Sequence, residues 1–77
     1  MEKIKFDFSR LRGRIIEKYG NFTAFANAVG RTKSVISDKL NNKVRITAEE
    51  MVDWSRPDRL DIAPDMIHAY FLTPEVR

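Results

Sequence analysis

The fold is decided by residues 22–41, which read FTAFANAVGRTKSVISDKLN and have the spacing of a helix-turn-helix. Ala26 stands where a second helix crosses the first most closely, so a larger side chain there pushes the helices apart. Gly30 follows at the turn, where the backbone needs a positive φ that glycine adopts without a steric clash. Ile36 and Leu40, four residues apart, give the second helix one inward side. The pattern predicts a DNA-binding helical pair with these residues as its core; the alternative is an unrelated helical hairpin.

The charges are divided unequally between the two halves of the chain. Residues 1–46 hold 11 Lys or Arg against four Asp or Glu, which leaves a net charge of +7. Residues 47–77 hold three Lys or Arg against seven Asp or Glu, which leaves a net charge of −4. A phosphate backbone attracts a basic surface, and ordinary solvated surface charge explains this asymmetry poorly. The half that contains the helical pair is therefore the half expected to face DNA.

The length and composition exclude several classes of protein. A chain of 77 residues predicts one domain over 1–77, with no separate catalytic domain. The sequence has no cysteine, and a lone His68 cannot form a zinc centre by itself. No nucleophile, base and orienting acid occur together, and no glycine-rich phosphate loop is present. We therefore expect no enzyme, no cofactor, no metal and no small-molecule ligand.

Hydrophobic periodicity and capping signals predict five helices and little else. Helix 1 is expected over about 8–19, with Asp7 or Ser9 as its cap. Asn21 is expected to cap helix 2, which ends at Gly30, and Thr32 to cap helix 3.

The remaining helices follow a polar loop over residues 41–46. Residues 47–50, TAEE, are a capping box that begins helix 4, and Pro57 interrupts that helix. Pro64 is expected at the first position of helix 5. The N-terminus has no apolar run long enough for a signal peptide or a membrane span, so no membrane association is expected.

The chain resembles the small Cro-like proteins and repressors of phages and prophages in three segments, which read FDFSRLRGRIIEKYG, FTAFANAVG and SDKLNNKV. The resemblance is close over residues 6–46 and looser in the C-terminal third. It implies a five-helix, lambda-repressor-like, all-α domain that binds operator DNA as a dimer in the bacterial cytoplasm. Such proteins often have a glutamine that donates to a phosphate where this chain has Phe22, so Asn21 is the better candidate for that contact.

Helix 3 is predicted to read the major groove, because the N-terminal part of the recognition helix contacts base edges in related folds. Lys33 is expected to donate to guanine O6 or N7, and Ser34 and Ser37 to bond to either kind of edge. Asp38 is expected to accept from cytosine N4, or else to pair with a neighbouring Lys or Arg. For Lys33 and Ser34 the alternative is plain exposure to solvent.

Phosphate contacts are predicted from donors around helix 3. These are Arg10, Arg14, Asn21, Thr32, Asn42, Lys43 and Arg45. For Asn21 and Thr32, a purely structural role as helix caps is the alternative.

Two functions remain open. The first is a transcriptional regulator, a Cro-like repressor, that binds double-stranded operator DNA. The second is a helical protein-interaction module, such as an antitoxin, whose acidic C-terminal half binds a partner protein. The basic N-terminal half favours the first.

A homodimer on DNA is expected through helices 4 and 5, because they carry more large apolar groups than a small core is expected to absorb. These groups are Trp54, Ile62, Met66, Ile67, Tyr70, Phe71 and Leu72.

Overall fold

Five α-helices form an all-α fold in the computed structural model, which describes residues 4–75. The helices are α1 (Ser9–Tyr19), α2 (Phe22–Ala28), α3 (Lys33–Leu40), α4 (Ala48–Trp54) and α5 (Ile67–Phe71). A short 3-10 turn, Pro64–Met66, leads directly into α5. The described range contains no β-strand, but an isolated antiparallel bridge joins Phe6 to Pro74. The predicted fold class is confirmed.

Short polar side chains define the starts of three helices, as the sequence predicted. The Asn21 side chain accepts a hydrogen bond from the Ala24 backbone N–H at 2.8 Å. Thr32 caps α3 in the same way, through the Val35 N–H at 3.2 Å. The capping box of α4 is complete, because Glu50 Oε1 also accepts from the Thr47 N–H at 3.0 Å. Local sequence therefore determines where these helices begin.

Helix α2 ends two residues before the predicted glycine. The chain leaves the helix in a Schellman turn, in which the Gly30 N–H donates to the Asn27 carbonyl and the Arg31 N–H to the Ala26 carbonyl. Gly30 has the positive φ of 72° that this turn requires. The turn delivers the chain to α3 within four residues.

The start of α1 differs slightly from the prediction. Phe8 occupies the N-cap position, and its side chain makes no capping hydrogen bond. Asp7 instead accepts from both the hydroxyl and the backbone N–H of Ser9, at 2.6 and 2.9 Å. These two hydrogen bonds lower the pKa of the Asp7 carboxyl.

An aromatic chain joins the two halves of the core. The Trp54 ring meets Phe25 of α2 edge-on, with 5.1 Å between centroids, and lies 6.2 Å from Phe71 of α5. Trp54 is only 1% exposed. Edge-to-face aromatic pairs stabilise a core beyond the area that they bury, so Trp54 anchors α4 to α2 and α5.

The core absorbs most of the apolar groups that were expected to be surplus in helices 4 and 5. Trp54, Ile62 and Phe71 are at most 4% exposed, and Ile67, Tyr70 and Leu72 pack half-buried against the core. Of the predicted set, Met66 is the one large side chain that remains exposed, at 37%. The reason lies in the segment after α4, which folds back so that the Leu60 N–H donates to the Trp54 carbonyl and the Ile62 N–H to the Ser55 carbonyl.

Replacing Ala26 by leucine is expected to lower the free energy of unfolding by about 1–3 kcal/mol. Ala26 is 1% exposed and belongs to the packed core between α2 and α3, so three extra carbons displace a helix. Urea denaturation followed by circular dichroism measures the loss. Ala28→Leu is the matched control, because Ala28 is exposed on the same helix; its effect is expected to stay within about 0.5 kcal/mol. Equal stability of the two variants contradicts the close crossing.

Candidate nucleic-acid interface

One side of α3 is available to a ligand. Ile36 and Leu40 are buried on its inner side, whereas Lys33, Ser34 and Ser37 are exposed. Within residues 4–75, the side chains of Lys33 and Ser34 make no hydrogen bond or ion pair. Three of the four predicted base-reading residues therefore share an outward side, and the polar atoms of Lys33 and Ser34 are free to bond elsewhere.

Ser37 belongs to a short hydrogen-bond network. The Asn41 side-chain Nδ2 donates to Ser37 Oγ at 3.3 Å, and Arg12 of α1 donates to Asn41 Oδ1 at 2.8 Å. The same Arg12 nitrogen donates to the Leu40 carbonyl at 3.0 Å, at the C-terminal end of α3. The four-residue spacing of Ser37 and Asn41 is a signal that sequence reasoning missed. Arg12 is 29 residues from Asn41, and only the fold brings them together.

Asp38 has a structural role through its backbone. Its carbonyl accepts from the N–H groups of Lys43, at 2.9 Å, and Val44, at 3.3 Å, which closes the turn after α3. The half-buried side chain lines a groove of about 550 Å³ between α3 and α4, shared with Arg31 and Thr47. Within residues 4–75, the Asp38 carboxylate forms no ion pair. No neighbouring Lys or Arg therefore neutralises its charge.

Several predicted phosphate contacts lie on the surface. Arg10, Lys43 and Arg45 are exposed, as are the capping residues Asn21 and Thr32. The guanidinium of Arg45 lies over the ring of Phe6, 5.8 Å from its centroid. All five remain accessible to a ligand that approaches α3 or the turns beside it.

Arg14 and Asn42 have their polar atoms engaged within the fold. Arg14 donates to the carbonyls of Leu60 and Asp61, each at 2.7 Å, and pairs with Glu17 at 2.9 Å. The Asn42 side chain accepts from the Phe6 N–H at 2.9 Å and donates to the Phe6 carbonyl at 3.0 Å. Both residues connect distant segments, and their contact with phosphate stays a prediction.

Lys39 does not belong to the basic surface, although it contributes to the charge of the N-terminal half. Its side chain is 8% exposed and donates to Glu50 Oε1 at 2.9 Å and to the Arg45 carbonyl at 3.1 Å. With Arg12 and Arg14, it uses its charge to join segments of the fold. Among residues 4–46, seven basic residues are exposed: Lys5, Arg10, Lys18, Arg31, Lys33, Lys43 and Arg45.

The environment of Glu50 stabilises its ionised form. Burial by itself raises the pKa of the carboxyl, but the Thr47 N–H and the Lys39 ammonium donate to it and outweigh burial. The net result is a pKa below the ordinary value of 4.5. The fold therefore favours the charged Lys39–Glu50 pair.

These features define a small all-helical protein with an exposed polar side on its third helix and basic residues around it. The chain belongs to the DUF739 family, described as a protein of unknown function, which matches residues 4–74. No curated protein sequence matches it. Within residues 4–75, no helix is long and apolar enough to cross a bilayer.

The structure is similar to the solution structure of the modulator of repression (MOR) of the temperate bacteriophage TP901-1 from Lactococcus lactis. The two sequences are 35% identical, and the TM-score is 0.76. The match covers 94% of this chain and 95% of the lactococcal chain. The similarity therefore extends over the whole fold, beyond the helical pair.

Replacing Glu50 by glutamine is expected to lower the free energy of unfolding by about 3 kcal/mol at neutral pH, because Lys39 keeps its charge and loses its ionised partner. The folded pKa of Glu50 lies below the unfolded value, so its stabilisation is present above about pH 4.5 and is lost as the pH falls through the folded pKa. The stability difference between wild type and variant is therefore expected to shrink in acid. Urea unfolding at several pH values measures it.

The control for this measurement is Glu49→Gln, at an exposed position in the same first turn of α4. That change is expected to alter stability by no more than about 0.5 kcal/mol. A Glu50 effect that is independent of pH contradicts the charged pair.

Proposed function

We propose that the protein is a transcriptional regulator of a phage or prophage that binds double-stranded DNA through the helix-turn-helix of α2 and α3. The observation that carries the proposal is the exposed side of α3, where Lys33, Ser34 and Ser37 face solvent opposite a buried side. The similarity to a phage modulator of repression supports the regulatory role.

The N-terminal part of α3 enters the major groove, where its side chains reach base edges. Lys33 donates to guanine O6 or N7, and Ser34 bonds to a neighbouring base edge. Asp38 accepts from cytosine N4. Its carboxylate has no counter-ion within the described residues, so contact with a base donor satisfies it.

Exposed basic side chains bind the phosphates beside the groove. Arg10, Lys43 and Arg45 supply the charge that holds the duplex against α3. Asn21 and Thr32 use their side-chain oxygens as caps, so the backbone amides near them are the donors offered to phosphate. Arg14 and Asn42 are left out of this set, because their polar atoms are already bonded within the fold.

Two copies of the chain bind one operator. A single recognition helix reads only about half a turn of the duplex, which discriminates poorly against competing sites. In residues 47–75 the exposed large apolar side chains are Val52, at 63%, and Met66, so their surface supplies the contact. The net charge of −4 over residues 47–77 opposes pairing in free solution, and the dimer therefore forms on DNA.

Binding of a partner protein is the second candidate function. The lactococcal protein is described as a modulator of repression. The specific observation in favour is the outer side of α4, where exposed Val52 lies near the acidic Glu49 and Asp53. Such a surface suits a basic partner.

Removing Arg10 or Lys43 is expected to weaken binding to every duplex sequence, because each contacts a phosphate. The plot of log affinity against log salt concentration should become shallower by about one unit for each alanine variant. Fluorescence anisotropy with a random duplex, over a series of salt concentrations, measures the slope.

Arg56→Ala is the control for charge, because Arg56 pairs with Asp53 and Asp58 in the acidic half; its slope should equal that of wild type. Wild-type binding that is absent at low salt, or indifferent to salt, overturns the DNA proposal and favours the protein-binding candidate.

Val52→Asn is expected to reduce the occupancy of a specific operator from two chains to one at the same protein concentration, because it removes apolar contact area without changing charge. Native mass spectrometry of the saturated complex measures the stoichiometry. Ile16→Asn is the control, since Ile16 is an exposed apolar residue of α1 and should leave two chains bound. One wild-type chain per saturated site refutes the dimer.

A further inference from the structure

The orientation of the Asn41 side chain is set by Arg12. A guanidinium has only donors, so the Arg12 nitrogen 2.8 Å from Asn41 Oδ1 can bond only to the oxygen of the amide. The amide nitrogen is thereby turned toward Ser37 Oγ, at 3.3 Å. Arg12 is itself held by the Leu40 carbonyl, at 3.0 Å. The three side chains form a chain of hydrogen bonds that runs in one direction, from Arg12 to Ser37.

The Ser37 hydroxyl therefore has an accepting role within the fold. A helical serine or threonine commonly donates to the carbonyl four residues earlier, and just past the ends of α4 and α5 the same bond joins Ser55 to the Met51 carbonyl at 2.6 Å and Thr73 to the Ala69 carbonyl at 2.7 Å. Within residues 4–75, Ser37 makes no such bond. One of its lone pairs is used by Asn41, and its hydrogen is left for a ligand on the exposed side of α3.

We infer that Arg12 and Asn41 make the Ser37 hydroxyl a stronger donor toward DNA, because accepting one hydrogen bond polarises its O–H, so that Ser37 favours a base that presents an acceptor in the major groove. This inference rests on the proposed function, since it assumes that α3 reads base edges. Arg12 is a positioning residue in this scheme, because it acts through Asn41 and not on DNA. Ser37 is the residue that determines specificity.

The selectivity follows from the chemistry of the four bases. Guanine presents N7 and O6 as acceptors, adenine presents N7 and thymine presents O4. Cytosine presents only the N4 amino donor in the major groove, which reaches only the second lone pair of a hydroxyl that already accepts from Asn41 and therefore bonds more weakly. The operator is therefore depleted in cytosine at the one position, on the strand that Ser37 faces, and tolerates the other three bases there.

Asn41→Asp tests the polarity directly. The carboxylate introduced at position 41 accepts from Arg12 and also from the Ser37 hydroxyl, which turns the Ser37 hydrogen inward and leaves only lone pairs outward. Selection of binding sites from a random duplex library, with wild type and variant in parallel, gives the base frequencies. Cytosine at the Ser37 position is expected to rise about fivefold relative to thymine, the gain of one hydrogen bond. Overall affinity falls for all sequences, because the change adds a negative charge near phosphates.

Three control variants distinguish a change in base preference at the Ser37 position from a general loss of DNA affinity. Ser37→Ala is expected to remove base preference at that position and, in the double variant with Asn41→Asp, to abolish the rise in cytosine. Arg12→Gln should relax the preference at the Ser37 position only, whereas Lys33→Ala should alter a different position. A merely structural Arg12 lowers the melting temperature and the affinity and leaves the base frequencies unchanged.

The outcomes distinguish this inference from the proposed function. If wild type selects a defined site and Asn41→Asp leaves the base frequencies at every position unchanged, the polarity assignment is wrong and DNA reading stands. If wild type discriminates among duplexes but accepts cytosine at the position that responds to Ser37→Ala, the assignment is also wrong. If wild type selects no site at all, the proposed function fails and this inference fails with it.

Discussion

The close crossing of α2 and α3 at Ala26 controls what the third helix can present to solvent. A small side chain at 1% exposure lets the two helices approach, and the turn through Gly30 at φ 72° delivers α3 in the correct direction. With Ile36 and Leu40 held in the core, the rotation of α3 about its axis is determined. Lys33 and the residues that follow it on the outer side then face outward together, which is the geometric requirement for any surface that reads a ligand.

The basic residues of the N-terminal half perform two tasks. Arg12, Arg14 and Lys39 donate to carbonyl and carboxylate oxygens within the fold, and they hold α1, α3 and α4 to segments distant in sequence. Other basic residues of this half, such as Arg10 and Lys33, lie exposed at the surface. An inward-facing arginine satisfies backbone carbonyls at helix ends, which otherwise remain without partners. The net charge of this half is therefore larger than the charge that its surface can offer to phosphates.

In the acidic half, the large apolar residues and the acidic residues occupy different places. Its large apolar groups enter the core around Trp54, where Phe25 and Phe71 meet the indole ring. Its acidic residues lie mostly at the surface, whereas Glu50 is half-buried, with 12% of its side chain exposed. Exposed Val52 is thus a small apolar feature among the charged side chains of Glu49, Asp53 and Arg56.

The sequence by itself determined the five helices and the starts of α2, α3 and α4, because these starts depend on groups within a few residues of each other. Asn21, Thr32 and the Thr47–Glu50 box act on neighbouring N–H groups, and Gly30 acts on its own φ. The outward side of α3 was also predictable, since helical periodicity places it opposite the buried residues.

Only the tertiary structure decided which polar side chains form hydrogen bonds within the fold. Arg14 bonds to Leu60, Asn42 to Phe6 and Arg12 to Asn41, across 46, 36 and 29 residues of chain. Whether the core could absorb the apolar groups of the last two helices also depended on how the segment after Trp54 folds back. A local pattern holds no information on such pairs, because a side chain's partner is set by the distance in space that the packed helices create.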